Sequence, residues 1–448
     1  MIVFARQRPA LFVSELFLAV VLFYTSLLSL PFATASGKSA SFGVAFFTTT
    51  SAISGTGLIV EPTGIFWSDF GKVVIMLTMQ TGGLGVMTLA SLLGIFVSKQ
   101  LGLTTRILTA SDIKESRFGE IGALLRVVVI TTFTIEAVVA VMLVPRFMEM
   151  HLNLPRALWH SVFFAVSAFN NAGFDLSESN FITWGSHWGV VIPMAIGMTM
   201  GAIGFPVIRN LVDVVKHRKL KLLNLNTKLV LTVFFIMDAI ILLWFFAIER
   251  DNAGLFPPEV IDNTSDHFAG LTFGALTTRA SGFGVLNAAN LTQPTLLLAQ
   301  IWMFVGAGPA STCAGIKVTT VAVLFIAAWA EFKGRGDLTA YGKRLPPGAL
   351  KVAVTVLICG VIAIFTFTLI IDQMTEAPLE VVQFDVISAF ANCGLSLSLA
   401  PLLNDVGLTM MGMLMFIGRL GTMTVAAALM KRDRSDLVRY PEENLIIG

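Results

Sequence analysis

The sequence predicts an all-α polytopic membrane protein of four tandem helix–pore-loop–helix (M-P-M) units around a central pore. Three observations carry this. The 448-residue chain is 55% hydrophobic and only 13% charged, where a soluble domain averages about 25% charged. Its mean hydropathy is +0.81, and long apolar stretches recur throughout. Finally, four ungapped windows recur at intervals of about 110 residues. They read SAISGTGL (51–58), SAFNNAGF (167–174), LTTRASGF (276–283) and SAFANCGL (388–395), and their seventh residue is always glycine: Gly57, Gly173, Gly282 and Gly394.

The windows divide the chain into quarters at 1–110, 111–222, 223–340 and 341–448. Each opens with an apolar run long enough to cross a bilayer, at 11–32, 121–148, 227–249 and 349–372. The first run imitates a signal peptide, with Arg6 and Arg8 before it and Ala33-Thr34-Ala35 after it. It is too long for such a segment, contains Glu15, and reads as a retained helix. A shorter segment follows in each quarter, at 40–53, 156–169, 266–278 and 381–390. At about a dozen residues it cannot span, so it enters and leaves on one side. A second long run closes each quarter, at 70–98, 188–215, 294–332 and 406–430.

Eight crossings put both termini on one side, and charge chooses which. Basic residues gather between quarters (Lys99, Arg106, Lys114, Arg117; Lys216, Arg218, Lys219, Lys221; Lys333, Arg335, Lys343, Arg344) and in the tail (Lys431, Arg432, Arg434). The opposite loops hold only Lys38, Arg146, Arg156 and Arg250. The positive-inside rule then predicts cytoplasmic termini and external pore loops. Basic loops at helix ends mark topology rather than a nucleic-acid surface.

Glycine admits backbone angles closed to other residues and lets neighbouring carbonyls converge. Four such loops can replace the hydration shell of a monovalent cation, and each short helix aims its partially negative C-terminus at the axis. The windows contain no Asp or Glu, which argues against a divalent-ion filter. Glycine also serves close helix packing, but four aligned windows in equivalent positions favour a filter.

Two sequence features break the fourfold pattern. Gly306, Gly308 and Gly315 interrupt the second long run of the third quarter in mid-membrane, where open backbone survives only against protein or a water-filled cavity; a plain kinked helix is the alternative. Arg419 stands inside the last helix, in Gly418-Arg419-Leu420-Gly421, while the counterparts Gly82–Gly85 and Gly201–Gly204 carry no charge. An arginine there costs about 2.5–3.5 kcal/mol on insertion scales unless compensated. Its distance from Lys431, about three turns, makes snorkelling hard. Glu15, Glu136, Asp238, Arg279 and Lys317 are further charges within apolar context, expected to pair with one another. The histidines (151, 160, 187, 217, 267) sit in loops or helix ends without metal spacing, and Cys313, Cys359 and Cys393 form no metal or disulfide pattern.

The four windows resemble the P-loops of the Trk/Ktr/HKT superfamily of potassium transporters. Leu276 to Phe283 is similar to that family's arginine-containing third loop, and 303–320 (MFVGAGPASTCAGIKVTT) to its glycine-rich intramembrane break. The resemblance spans nearly the whole chain. It is strongest to the KtrB branch, which also begins with the first repeat and ends in a tail like Tyr440-Pro441-Glu442-Glu443-Asn444-Leu445-Ile446-Ile447-Gly448. It implies a potassium-channel-like pseudo-fourfold pore in the plasma membrane. The filter carbonyls would come from Gly55, Thr56 and Gly57, from Asn171, Ala172 and Gly173, from Ala280, Ser281 and Gly282, and from Asn392, Cys393 and Gly394. Glycine in all four loops goes with potassium in the family, and serine in the first with sodium.

The resemblance also implies a gate below the filter, at 306–315. Gly306, Gly308, Pro309, Ser311, Thr312 and Gly315 would form it, with Arg419 packed against them and bonding to loop carbonyls. Ala307, Pro309 and Cys313 depart from the glycine-richer family pattern, and Pro309 stiffens the loop. Arg279 is expected to brace the filter. The family further implies a homodimer and a cytosolic nucleotide-binding regulatory subunit of the KtrA type, since no nucleotide motif occurs in this chain. K+ is the transported ion, Na+ a candidate activator, and no covalent cofactor is expected. A Trk-type transporter with different coupling is the nearest alternative. An alternating-access solute carrier is disfavoured because repeats of two crossings are parallel rather than inverted. A scaffold with a vestigial pore and an enzyme are disfavoured by the four retained glycines and by the lack of a nucleophile–base or metal constellation.

Overall fold

A computed structural model describes residues 9–100, 116–177, 181–252, 254–257, 264–334, 336–346 and 348–430, with side chains except at 9–13, 86–100, 116–125, 183 and 422–430. Arg6, Arg8, Arg106, Lys114, Arg335, the 110/111 boundary and the tail from Lys431 lie outside the described residues, as do the side chains of Lys99 and Arg117.

The described chain is mostly helical. The first quarter holds α1 (Pro9–Leu28), α2 (Phe42–Ser54) and α3 (Asp69–Gln100). The second holds α4 (Ser116–Glu149), α5 (Leu154–Phe169), α6 (Trp188–Ile203) and α7 (Phe205–His217). In the third are α8 (Leu225–Trp244), α9 (Thr264–Thr277), α10 (Gln293–Phe304) and α11 (Val318–Phe332), and in the fourth α12 (Ala349–Asp372), α13 (Leu379–Ala391) and α14 (Asp405–Met430). A two-stranded hairpin, β1 (Thr339–Ala340) with β2 (Lys343–Arg344), joins the last two quarters.

Local chemistry sets the ends of the short helices. Ser41 and Asn153 cap α2 and α5, their side-chain oxygens accepting from the Val44 and Arg156 amides. Gly55 and Asn392 end α2 and α13 in the left-handed region, at φ +69° and +52°, where glycine and asparagine are tolerated best.

Among the described residues, Arg126–Glu149, Leu225–Glu249 and Ala349–Asp372 are each long and apolar enough to cross a membrane. Trp188–Ile203 with Phe205–His217 makes a fourth if the bent pair is one span. α12 shows how such a helix partitions. Ala353, Val356, Gly360 and Ile364 are buried at helical spacing, while Ile358, Ile362, Phe365 and Leu369 are exposed on the other face. Large exposed apolar side chains of this density are what a lipid solvent allows.

The second long helix of each quarter packs against the short helix of the next: α3 on α5, α6 on α9, α10 on α13. α14 closes the cycle on α2. The closing contact is anchored by Ser41, whose hydroxyl donates to Asp405 at 2.7 Å.

One expectation is corrected. A continuous helix over 188–215 is expected from the sequence, yet the chain turns by 102° between α6 and α7. Gly204 sits at φ +87° at the turn, and Pro206 occupies the first turn of α7, where its missing N–H costs nothing. A broken second helix is therefore not peculiar to the third quarter.

Candidate functional site: a four-loop constriction and the broken helices beneath it

The four windows meet at the centre of the ring. Their glycines take positive φ: Gly57 +93°, Gly173 +69°, Gly282 +53° and Gly394 +93°. A Cβ built on Gly57 would lie 2.9 Å from the Ala172 carbonyl oxygen. On Gly173 it would lie 2.0 Å from that of Ser281, on Gly282 2.7 Å from that of Cys393, and on Gly394 2.0 Å from that of Thr56. Each glycine thus abuts the carbonyl that precedes the glycine of a neighbouring loop, and the contacts close round the four loops. None has room for a side chain.

Loops one, two and four share a fastening not expected from the sequence. The serine opening each window reaches across its own loop. Ser51 accepts from the Gly57 amide at 3.1 Å and donates to the Leu58 carbonyl at 2.7 Å. Ser167 donates to Phe174 at 2.8 Å, and Ser388 accepts from the Gly394 amide at 3.0 Å. The signal was present as Ser-Ala in three windows. The same three loops rest on second-helix glycines: a Cβ on Gly82, Gly201 or Gly418 would lie 1.9 Å from the carbonyl oxygen of Ile53, Phe169 or Phe390.

The third loop is built differently. Leu276 replaces the serine, and the positive φ values fall on adjacent Ser281 and Gly282. Its bracing comes from Arg279, buried to 4% exposure, which pairs with Asp238 of α8 at 2.8 Å. Arg279 also donates to the Phe234 carbonyl at 3.2 Å and lies 3.5 Å over the Phe234 ring. Removing one partner of such a buried pair leaves an uncompensated charge, at a cost of about 3–5 kcal/mol. Arg279→Ala is expected to lose that much in thermal unfolding, whereas Arg279→Met with Asp238→Leu should recover most of it. Equal losses in both would mean that the pair is not what holds the loop.

Among the described residues, two other intramembrane charges did not find the expected ionic partners. Glu136, 5% exposed, accepts from the side-chain amides of Gln80 at 3.1 Å and Asn170 at 3.4 Å. Asn170 is the residue before Asn171, so this network lies directly behind the second loop. Lys317 donates to the Cys313 carbonyl at 2.6 Å. Glu15 is exposed.

Beneath the loops the chain of the third quarter leaves helix between α10 and α11. Gly306 and Gly315 face each other at the neck, where a Cβ on Gly306 would lie 2.0 Å from the Ala314 carbonyl oxygen and one on Gly315 3.1 Å from the Gly306 Cα. The opened backbone is satisfied by the broken helix of the second quarter. Gly308 and Thr312 donate their amides to the Ala202 and Gly201 carbonyls at 2.9 and 3.1 Å, and Phe205 donates to Ala310 at 3.2 Å. The two breaks thus supply each other's hydrogen bonds, as buried backbone requires. A Cβ on Gly204 would lie 2.5 Å from the Pro309 carbonyl oxygen. Gly204→Ala is therefore expected to unseat the loop and change Rb+ uptake by at least threefold, measured by tracer flux; an unchanged rate would separate the two breaks functionally.

Thr312 is the hub of this loop. Its hydroxyl donates to Phe169 at 3.1 Å and accepts from Asn171 at 2.8 Å, and its carbonyl accepts from Arg419, itself 2% exposed. In loop four, Asn392 occupies the matching window position and donates to Thr56 at 2.7 Å and to the Met415 carbonyl at 3.1 Å. Cys393 donates its thiol to the Thr278 carbonyl at 3.1 Å. Ser311 donates to Cys313 at 3.3 Å, and Pro309 is half-buried. The four loops thus meet through their glycine–carbonyl contacts, and Thr312 of the broken segment, held by Arg419, bonds to Phe169 and Asn171 of the second loop. Among the described residues, no cluster of His, Cys, Asp or Glu suits a metal ion.

A mainly helical chain with long apolar helices and lipid-facing apolar side chains defines a membrane protein. The chain belongs to the TrkH family of cation transport proteins, which it matches over residues 19–438. It is 33% identical to the Ktr system potassium uptake protein B of Bacillus subtilis, over 96% of this chain and 95% of that one. It is 30% identical to the potassium/sodium uptake protein NtpJ of Enterococcus hirae, over 99% and 98%. In fold it resembles the crystal structure of the potassium transporter TrkH from Vibrio parahaemolyticus, with a TM-score of 0.69 at 17% identity over 94% of this chain and 85% of that one.

Proposed function

We propose that this chain is the pore-forming subunit of a potassium uptake system of the Ktr type, passing K+ inward through its four-loop constriction. The reading rests above all on the closed contact of four glycines with four neighbouring carbonyls, a ligand set of backbone oxygens without carboxylates. The quarters 1–110, 111–222, 223–340 and 341–448 then act as M-P-M repeats round one pore, with eight crossings. The filter is Gly55 to Gly57, Asn171 to Gly173, Ala280 to Gly282 and Asn392 to Gly394. The membrane potential drives entry, at about 2.3 kcal/mol per elementary charge per 100 mV.

The segment 306–315 serves as the gate, held by Arg419 and by Lys317, which donate to the consecutive carbonyls of Thr312 and Cys313. Two cations on one loop oppose the passage of a third. The protein works as a homodimer in the plasma membrane with cytoplasmic termini, and takes its regulation from a cytosolic nucleotide-binding subunit of the KtrA type. The name of the Bacillus subtilis relative, which makes it one protein of a Ktr system, supports the partner. That of the Enterococcus hirae relative supports a second reading, in which sodium shares the pathway or activates it.

Proteoliposomes preloaded with K+ and given external tracer distinguish these readings. Rb+ uptake driven by the K+ gradient, resistant to equimolar Na+, is the expected result. Equal uptake of Na+ favours the shared pathway, and no Rb+ uptake with or without Na+ would overturn the assignment.

A further inference from the structure

Away from the constriction, the first turns of α3 and α5 converge on an open cavity of about 780 Å³. Lys72, Arg156, His160, Trp159, Trp184 and Asp69 line it. Lys72 is the unusual member. Its side chain is only 17% exposed, and it pairs at 3.8 Å with Asp69, whose own side chain is fully exposed. Arg156 opposes it from the first turn of α5. Both helices bring their partially positive N-terminal ends to the cavity. Their cap positions are filled by Ser68 and Asn153, which leaves the side-chain cations to hold a ligand.

The surroundings say where that ligand comes from. Phe70, Val73 and Leu77 form one exposed apolar stripe down α3, and Val73 also lines the cavity. Trp159 and Trp184 line the same cavity, and tryptophan is the residue enriched at membrane–water boundaries. Two cations and two indoles around one cavity, with an apolar stripe leading from it, match an anionic lipid: phosphate on the cations, acyl chain along the stripe.

We propose that this cavity binds the phosphate headgroup of an anionic phospholipid in the outer leaflet. The site lies outside the ion pathway. Bound lipid would tie α3 to α5, the helix that carries the second loop.

Native mass spectrometry of the full-length protein, released from detergent with added phosphatidylglycerol, phosphatidylcholine or inorganic phosphate, tests this. The wild type is expected to retain phosphatidylglycerol at least tenfold better than phosphatidylcholine. Lys72→Gln with Arg156→Gln should lose that preference, and the surface change Arg156→Gln alone should lose part of it. Lys38→Gln with Arg250→Gln, outside the cavity, should keep it. Retention of phosphatidylglycerol by both Arg156→Gln and the double variant at the wild-type level overturns the proposal, as does equal retention of phosphatidylcholine. Capture of inorganic phosphate without lipid overturns the lipid assignment and leaves a free-anion site.

Discussion

Serine in place of Gly57 is expected to lower the ratio of Rb+ to Na+ uptake about a hundredfold, roughly 2.7 kcal/mol of discrimination. Two independent effects point the same way. At φ +93° an L-residue is strained, and its Cβ would sit 2.9 Å from the Ala172 carbonyl oxygen and 3.0 Å from the Gly173 Cα. Backbone atoms, unlike a flexible side-chain end, cannot step aside cheaply, so the second loop must move and its carbonyl leaves the ring. A monovalent cation shed of its water depends on the number and placement of those oxygens. Gly284→Ser supplies the control, because that glycine lies just beyond the third window and a Cβ there meets nothing within 4 Å. Tracer uptake from mixed Rb+ and Na+ reads both variants, and a Gly57→Ser protein with an unchanged ratio would remove the first loop from the filter.

Arg419→Ala is expected to raise basal Rb+ uptake about tenfold in vesicles that contain this chain alone. The guanidinium is buried and donates to the Thr312 carbonyl. A buried positive charge beside the ion path repels a passing cation, so its loss lowers the barrier. The loop also loses the hand that holds Thr312, whose hydroxyl links Phe169 and Asn171 of the second loop. Arg419→Lys keeps the charge with a single point donor in place of the fork, and should fall between the two. The helix itself should survive either change, since Gly418 keeps its contact with Phe390. A basal rate equal to wild type in Arg419→Ala would exclude the residue from the gate.

The loop glycines were legible because a repeated local requirement leaves a repeated local word. Gly57, Gly173, Gly282 and Gly394 need φ that glycine supplies, and three windows need the same serine to close the loop. The break at Gly204 was harder. Pro206 reads alike as the second residue of a new helix and as a kink within an old one, and only the seat it makes for Gly308 and Thr312 shows which holds. Arg419 was visible as a charge out of place, and its carbonyl partner follows from the expected loop. Lys317 and Glu136 were expected to meet opposite charges and instead found a carbonyl and two amides, because the choice of partner depends on which helices cross at that depth. Asp238 and Arg279, within one quarter, did pair. The sequence windows carry what each loop needs from itself, and not what it receives from a neighbour.

The contact of α14 with α2 has a consequence for how the protein is made. Ser41 and Asp405 are partners separated by nearly the whole chain, and the first loop finds its neighbour in the fourth only once the last helix has left the ribosome. Contacts so distant in sequence form late. Three quarters of the polypeptide must therefore wait in the bilayer with a polar, glycine-rich edge uncovered. A nascent chain truncated before α14 should be held by insertion machinery or degraded, because the ring closes only when α14 reaches α2.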